Sequence, residues 1–110
     1  MAGVKGVESM EDKIKHLHKV TRITSNDPFS WHAIGTTLYN NKSYNESLNY
    51  FMKANEIKEN FSAANLYYIG DCLRRIGRVN ESIKYLEKAL SIKAYNKVDK
   101  KVIKIYKFFF

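Results

Sequence analysis

The polar and apolar positions of this chain recur with a helical period along most of its length. Trp31, Ile34, Gly35 and Leu38 fall at i, i+3, i+4 and i+7, which places them on one face of a helix. Leu66, Ile69, Gly70 and Leu73 repeat that face 35 residues later. Each stretch is followed by a polar break, Asn40-Asn41-Lys42 in the first case and the turn at Gly77 in the second. A second apolar stripe follows each break: Tyr44, Leu48, Phe51, Ala54 and Ile57, then Val79, Ile83, Leu86, Ala89 and Leu90. The pattern predicts two tandem helical hairpins, over 28–59 and 62–93.

The self-match at a shift of 35 is dense. Asn45-Glu46-Ser47 falls on Asn80-Glu81-Ser82, Tyr50-Phe51 on Tyr85-Leu86, Lys53-Ala54 on Lys88-Ala89 and Ile57 on Ile92. Local signals agree with these boundaries. Asp27 is a good N-cap and Pro28 suits a first helical position, where no N–H is needed. Ser43-Tyr44-Asn45-Glu46 has the form of a capping box. Glycine inside a helix costs about 1 kcal/mol against alanine, so its repetition at 35 and 70 needs a reason. Close helix approach supplies one, with Ala54 and Ala89 expected as the small partners.

The order Trp31, Ile34, Gly35, Leu38, Ser47, Phe51, Ala54, answered by Leu66, Ile69, Gly70, Leu73, Ser82, Leu86, Ala89, resembles the tetratricopeptide pattern. Serine replaces the usual first small residue, and the closing proline is absent. Flanking helices are expected to cover the ends of the stack. Ser9-Met10-Glu11-Asp12 starts one over about 9–24, with Ile14, Leu17, Val20 and Ile23 as its stripe. Val98, Val102, Ile105, Tyr106 and Phe109 mark a basic amphipathic helix over 97–110. The expected fold is therefore all-α, a tetratricopeptide-like α-α superhelix of six antiparallel helices in a single domain over 1–110.

Charge changes this picture at one end. Of the net +8, residues 93–110 supply six lysines against Asp99 alone. Lys97, Lys100, Lys101, Lys104 and Lys107 form a basic patch suited to an acidic partner. No apolar run approaches the ~18 residues of a membrane span. The first residues lack the apolar core of a secretory peptide. Cys72 is the only cysteine, so no internal disulfide forms, and a reducing compartment fits. No phosphate loop or dinucleotide fingerprint occurs. His16 and His18 point to different helix faces and His32 stands alone, so no metal site is expected. Glu11 with Asp12, and Glu56 with Glu59, read as helix surface. No catalytic residue and no cofactor are expected.

What remains is a groove. In tetratricopeptide modules the first helix of each unit lines the concave face, which here assigns Phe29, His32, Thr36, Tyr39 and Asn40 from one unit. Ala64, Tyr67, Asp71, Arg74 and Arg75 come from the next. The lysine and asparagine of chaperone-tail-binding members would fall at His32 and Thr36, and neither matches. Aromatics beside arginines suit an extended peptide or an anionic headgroup.

Several stretches together are more specific than the repeat. Gly3-Val4-Lys5 precedes Ile14-Lys15-His16-Leu17, then come the run from Asp27 to Gly35, the run from Tyr50 to Ile57, Asn60-Phe61-Ser62, and Lys97-Val98-Asp99-Lys100. Their order and content resemble the C-terminal half of the regulator of microtubule dynamics family. Members of that family usually carry a longer insertion where only Asn40 to Lys42 stands here, which implies a shortened or partial member. The resemblance implies a cytoplasmic, microtubule-associated interaction scaffold, at spindle poles in some members and at mitochondria and membrane contact sites in others. Tubulin or a peptide ligand is the expected partner. A lipid-binding, membrane-contact module that recognises anionic lipid is the alternative. RNA binding is the weakest reading, because two units reading about one base each make a poor RNA reader. Two units are also fewer than a stack usually needs, so a homodimer is a further expectation.

Overall fold

A computed structural model describes residues 9–23, 26–92, 100, 101 and 104. The described residues form five α-helices and no strand: α1 (Met10–Ile23), α2 (Pro28–Asn40), α3 (Tyr44–Ile57), α4 (Ala63–Arg75) and α5 (Val79–Ser91). Six helices were expected. The expected sixth, over 97–110, falls outside the described residues except for Lys100, Lys101 and Lys104, which are helical and exposed.

Side-chain caps start the helices where the sequence offers them. The Ser9 hydroxyl accepts from the Asp12 N–H at 3.1 Å. The Asp27 carboxylate accepts from the Phe29 N–H at 2.9 Å and from the Ser30 hydroxyl at 3.3 Å, and Ser62 accepts from the Asn65 N–H at 3.2 Å. The capping box expected at Ser43 does not form. The Ser43 hydroxyl accepts instead from the Asn41 side-chain amide at 3.2 Å, and Ser43, at φ −86° and ψ 67°, lies outside the extended conformation of a capping residue.

Both hairpins turn by the same device. After α2 the Ser43 N–H reaches the Leu38 carbonyl and the Lys42 N–H reaches Tyr39, both at 2.9 Å. After α4 the Arg78 N–H reaches Leu73 at 2.8 Å and the Gly77 N–H reaches Arg74 at 3.1 Å. These are Schellman closures, and each needs one residue in the left-handed region. Gly77 takes it at φ 90° without strain, whereas Lys42 takes it at φ 63° against its own Cβ.

α2 packs on α3 and α4 on α5, the hairpins meet through α3 and α4, and α1 lies on α2. The core centres on α4: Leu66, Ile69, Cys72 and Leu73 are buried with Leu48, Phe51 and Ala89. The repeated glycines do lie at crossings, but their neighbours differ from those expected. A Cβ on Gly35 would sit 2.6–3.0 Å from three carbons of the Phe51 ring. One on Gly70 would collide with Leu86, 2.8 Å from its Cγ, and sit 3.2 Å from the Ser82 carbonyl oxygen. The glycines thus make room for large side chains. Ala54 and Ala89 are themselves fully buried. Two predicted stripes also fail at their ends: Ile23 of α1 is 82% exposed, and Val79 and Ile83 of α5 are exposed. Each is apolar at the right spacing, but no described element covers it.

Candidate functional site

The residues assigned to the groove come from two helices that the chain joins only through α3. Side chains bridge them directly. Near the start of α2, His32 Nδ1 lies 2.7 Å from Asn65 Oδ1. Asn65 is fully buried, and its amide donates to the Phe51 carbonyl at 3.0 Å. At the end of α2, the Tyr39 hydroxyl donates to Asp71 Oδ2. The sites at which α2 and α4 meet are therefore hydrogen-bonded, not merely apolar.

Asp71 is the electrostatic centre. It is 5% exposed and carries a full charge, so it must be paired. Arg74 reaches Oδ1 from Nη2 at 2.7 Å and from Nε at 3.2 Å, and Arg75 Nε reaches Oδ2 at 2.7 Å. Helical spacing places both arginines one turn beyond the aspartate. Burial is the largest single influence on the carboxyl and pushes its pKa up. The hydrogen bonds from Tyr39, Arg75 and Arg74 outweigh it together and hold Asp71 below its usual range. Burial, then the bond to Asp71, pushes the Tyr39 hydroxyl far up, so it stays protonated as a donor. Burial followed by the Asp71 charge also raises Tyr67 and Tyr68. The hydrogen bond to Asp71 raises both arginines.

Rings knit the face together. Tyr68 stacks on Phe51 with centroids 5.0 Å apart and planes at 6°, and meets Tyr39 edge-on at 4.8 Å and His32 at 5.8 Å. The Arg75 guanidinium lies 4.8 Å from the Tyr44 ring and 5.8 Å from Tyr39. The outcome is a tyrosine-rich surface with two partly exposed guanidinium groups against one buried carboxylate, a local excess of one positive charge.

Of the residues assigned from sequence, the structure brings together His32, Tyr39, Tyr67, Asp71, Arg74 and Arg75. Phe29 is exposed at the start of α2, edge-on to Phe61 at 5.0 Å. The Thr36 hydroxyl bonds back to the Ala33 carbonyl of its own helix, and Ala64 is buried. Asn40 lines a small cleft of about 240 Å³ with Met10, Lys13, Thr37 and Asn41, on the α1 side of α2. In the basic patch Lys100, Lys101 and Lys104 are exposed, while Lys97 and Lys107 lie outside the described residues. Sequence reasoning missed Asn65, Tyr44 and Tyr68. The signal for Asn65 is a polar residue three positions after Ser62 and next to Leu66, where the apolar stripe starts, 33 positions after His32. Tyr68 stands in a tandem pair with Tyr67, and the repeat alignment selects only Tyr67.

No group of three potential metal ligands occurs among the described residues, and no helix among them is long and apolar enough to cross a membrane. Residues 36–107 match the family described as Regulator of microtubule dynamics protein 1-3, a span that takes in the C-terminal end of α2, all of α3, α4 and α5, and most of the lysine-rich segment. No curated protein matches the chain.

Proposed function

The chain belongs to the regulator of microtubule dynamics family, and from that premise we propose that it is a non-catalytic, microtubule-associated interaction scaffold of the cytoplasm. The family match is the observation that carries the reading. The two hairpins act as tetratricopeptide-like units, held rigid by the α2–α4 bridges at His32–Asn65 and Tyr39–Asp71. Their rigidity presents Tyr67, Arg74 and Arg75 to a partner peptide without a large loss of side-chain entropy on binding. The lysines at 97, 100, 101, 104 and 107 add long-range attraction to an acidic polymer surface.

Co-sedimentation with polymerised tubulin tests this. The chain is expected to pellet at low salt and to be released as salt shortens the screening length from about 30 Å at 0.01 M to about 8 Å at 0.15 M. Replacing Lys100, Lys101 and Lys104 by glutamate should abolish pelleting, and Arg74→Gln with Arg75→Gln should weaken partner binding in the groove. Failure to pellet at low salt, or pelleting indifferent to the lysine changes, contradicts the proposal.

A further inference from the structure

A second concavity lies between α1 and α2, and none of the described residues that line it belongs to the tyrosine–arginine face or the lysine segment. It has a volume of about 620 Å³ and is lined by Lys15, His18, Thr21, Arg22 and Trp31. That volume is in the range of sites that hold a compact ligand or a short peptide. Lys15, His18 and Arg22 stand at i, i+3 and i+7, one stripe along α1. Among the described residues no acidic side chain lines the cleft. Two of its groups are already committed to structure: His18 Nε2 lies 3.1 Å from the Tyr50 hydroxyl, and the Thr21 hydroxyl donates to the His18 carbonyl at 2.9 Å. Lys15 and Arg22 form no ion pair among the described residues. Trp31 is set against α3, stacked on Tyr50 at 6.0 Å with Lys53 Nζ 5.9 Å from its ring.

The distribution of these groups selects the kind of occupant. A compact phosphate prefers convergent backbone N–H donors at a helix start. The start of α2 offers none, because Pro28 has no N–H and the Asp27 carboxylate already caps the Phe29 N–H. The two cations are instead seven residues apart on α1, about 10.5 Å along its axis at 1.5 Å per residue. About three residues of extended chain cover that distance. We propose that this cleft docks an acidic peptide segment in which carboxylates on either side of an aromatic or long apolar side chain meet Lys15 and Arg22 while that side chain packs against Trp31.

Trp31 is the only tryptophan, so its fluorescence reports on the cleft alone. The full chain is titrated with acetyl-Glu-Glu-Phe-Glu-Glu-amide, its lysine-for-glutamate counterpart, a version with glycine at the centre, and inorganic phosphate. A saturable change is expected with the acidic phenylalanine peptide only, weakened about tenfold by Arg22→Gln or Lys15→Gln and weakened also by glycine at the centre. Lys84→Gln on α5, which is exposed and remote from the cleft, should leave the midpoint unchanged. Circular dichroism confirms that the variants keep their helices, which is expected because Lys15 and Arg22 are exposed. No saturable change up to about 10 mM peptide, an equal midpoint in the Arg22 and Lys15 variants, or saturation of the same signal by phosphate would overturn the proposal. Tubulin pelleting measured on the same variants separates the two readings, since the cleft and the lysine segment are distinct.

Discussion

The two hairpins follow one 35-residue template, yet they close their crossings with different atoms. In α2–α3 the space at Gly35 is filled by the Phe51 ring, which is fully buried and stacked on Tyr68. The Ser47 hydroxyl on the same helix donates to the Gly35 carbonyl at 2.9 Å and lies 3.6 Å from Cys72 Sγ. In α4–α5 the equivalent space is filled by Leu86, and the Ser82 hydroxyl turns back to Val79 of its own helix. The inner hairpin is thus cross-bonded and covered on both sides by neighbours. The outer one has α4 buried but leaves Val79 and Ile83 of α5 in solvent. A repeated glycine is therefore a requirement for space, and what uses the space depends on whether the helix beyond it is itself covered.

The largest test of this difference is truncation at the two crossings. Phe51→Ala should cost about 4 kcal/mol, and Leu86→Ala, at the less enclosed position, about 2–3 kcal/mol, from the range seen for large-to-alanine changes in cores. Urea unfolding of the full chain measures both. Equal losses would break the asymmetry.

Adding a methyl group at the glycines is the next test. Alanine gains about 1 kcal/mol of helix propensity over glycine, set against about 1–3 kcal/mol for overpacking. At Gly35 the clash is with a rigid ring held on its far side by Tyr68, so Gly35→Ala should lose about 2 kcal/mol. At Gly70 the clash is with Leu86, which is 8% exposed and can shift outward, but the added methyl also sits 3.2 Å from the Ser82 backbone oxygen, which cannot move aside, so Gly70→Ala should lose about 1 kcal/mol. Phe51→Leu in the Gly35→Ala chain copies the second crossing into the first, and should recover part of the loss. Absence of any recovery would show that backbone approach, not the ring, sets the requirement.

The two turns form a third pair. Lys42 and Gly77 occupy equivalent left-handed positions, and a non-glycine residue there costs about 1–2 kcal/mol. Lys42→Gly should raise stability, by up to about 1 kcal/mol once the greater freedom of the unfolded chain is subtracted. Gly77→Ala should lower it by about 1 kcal/mol, since a Cβ there meets nothing within 4 Å and only the backbone conformation is strained. Thermal unfolding of the two variants should shift in opposite directions.

These pairs also show how far the sequence could be read. The period of 35 and the helical stripes reveal the hairpins, because a buried face must recur every turn whatever lies opposite. They do not reveal the opposite partner. Ala54 and Ala89 are small and repeated, so they attract attention, but the rotation of α3 and α5 about their axes brings Phe51 and Leu86 to the glycines instead. Val79 and Ile83 have the spacing of buried residues, and periodicity carries no information on whether another element reaches them. The α2–α4 bridges were hardest to see. His32 and Tyr39 could be placed on one face, but Asn65 satisfies a backbone carbonyl of a third helix, a need that exists only once the hairpins have docked. The pairing of Arg74 and Arg75 with Asp71 lies within α4 and follows from helical spacing, whereas the Tyr39–Asp71 bond depends on the relative height of two helices.

The smallest predicted effect concerns a charge that only one hairpin carries. Asp71 is the counterpart of Thr36, whose hydroxyl is satisfied within its own helix, so the second hairpin depends on ionisation where the first does not. The folded Asp71 carboxyl titrates below the unfolded value of about 3.9. Its contribution is therefore complete above that value and is lost as pH falls toward and through the folded pKa. Arg74 and Arg75 are 53% and 39% exposed, and solvent screening limits the titrating part to about 1 kcal/mol or less. Urea unfolding of the parent chain and Asp71→Asn from pH 7 down to pH 3 isolates it, since every other carboxylate is shared. The stability gap between the two should be constant down to about pH 5 and then narrow, while Thr36→Val should give a gap that does not vary with pH. A gap that stays fixed for Asp71→Asn, or widens in acid, would mean that the aspartate acts through shape and hydrogen-bond geometry alone, and the two hairpins would then differ in packing but not in charge.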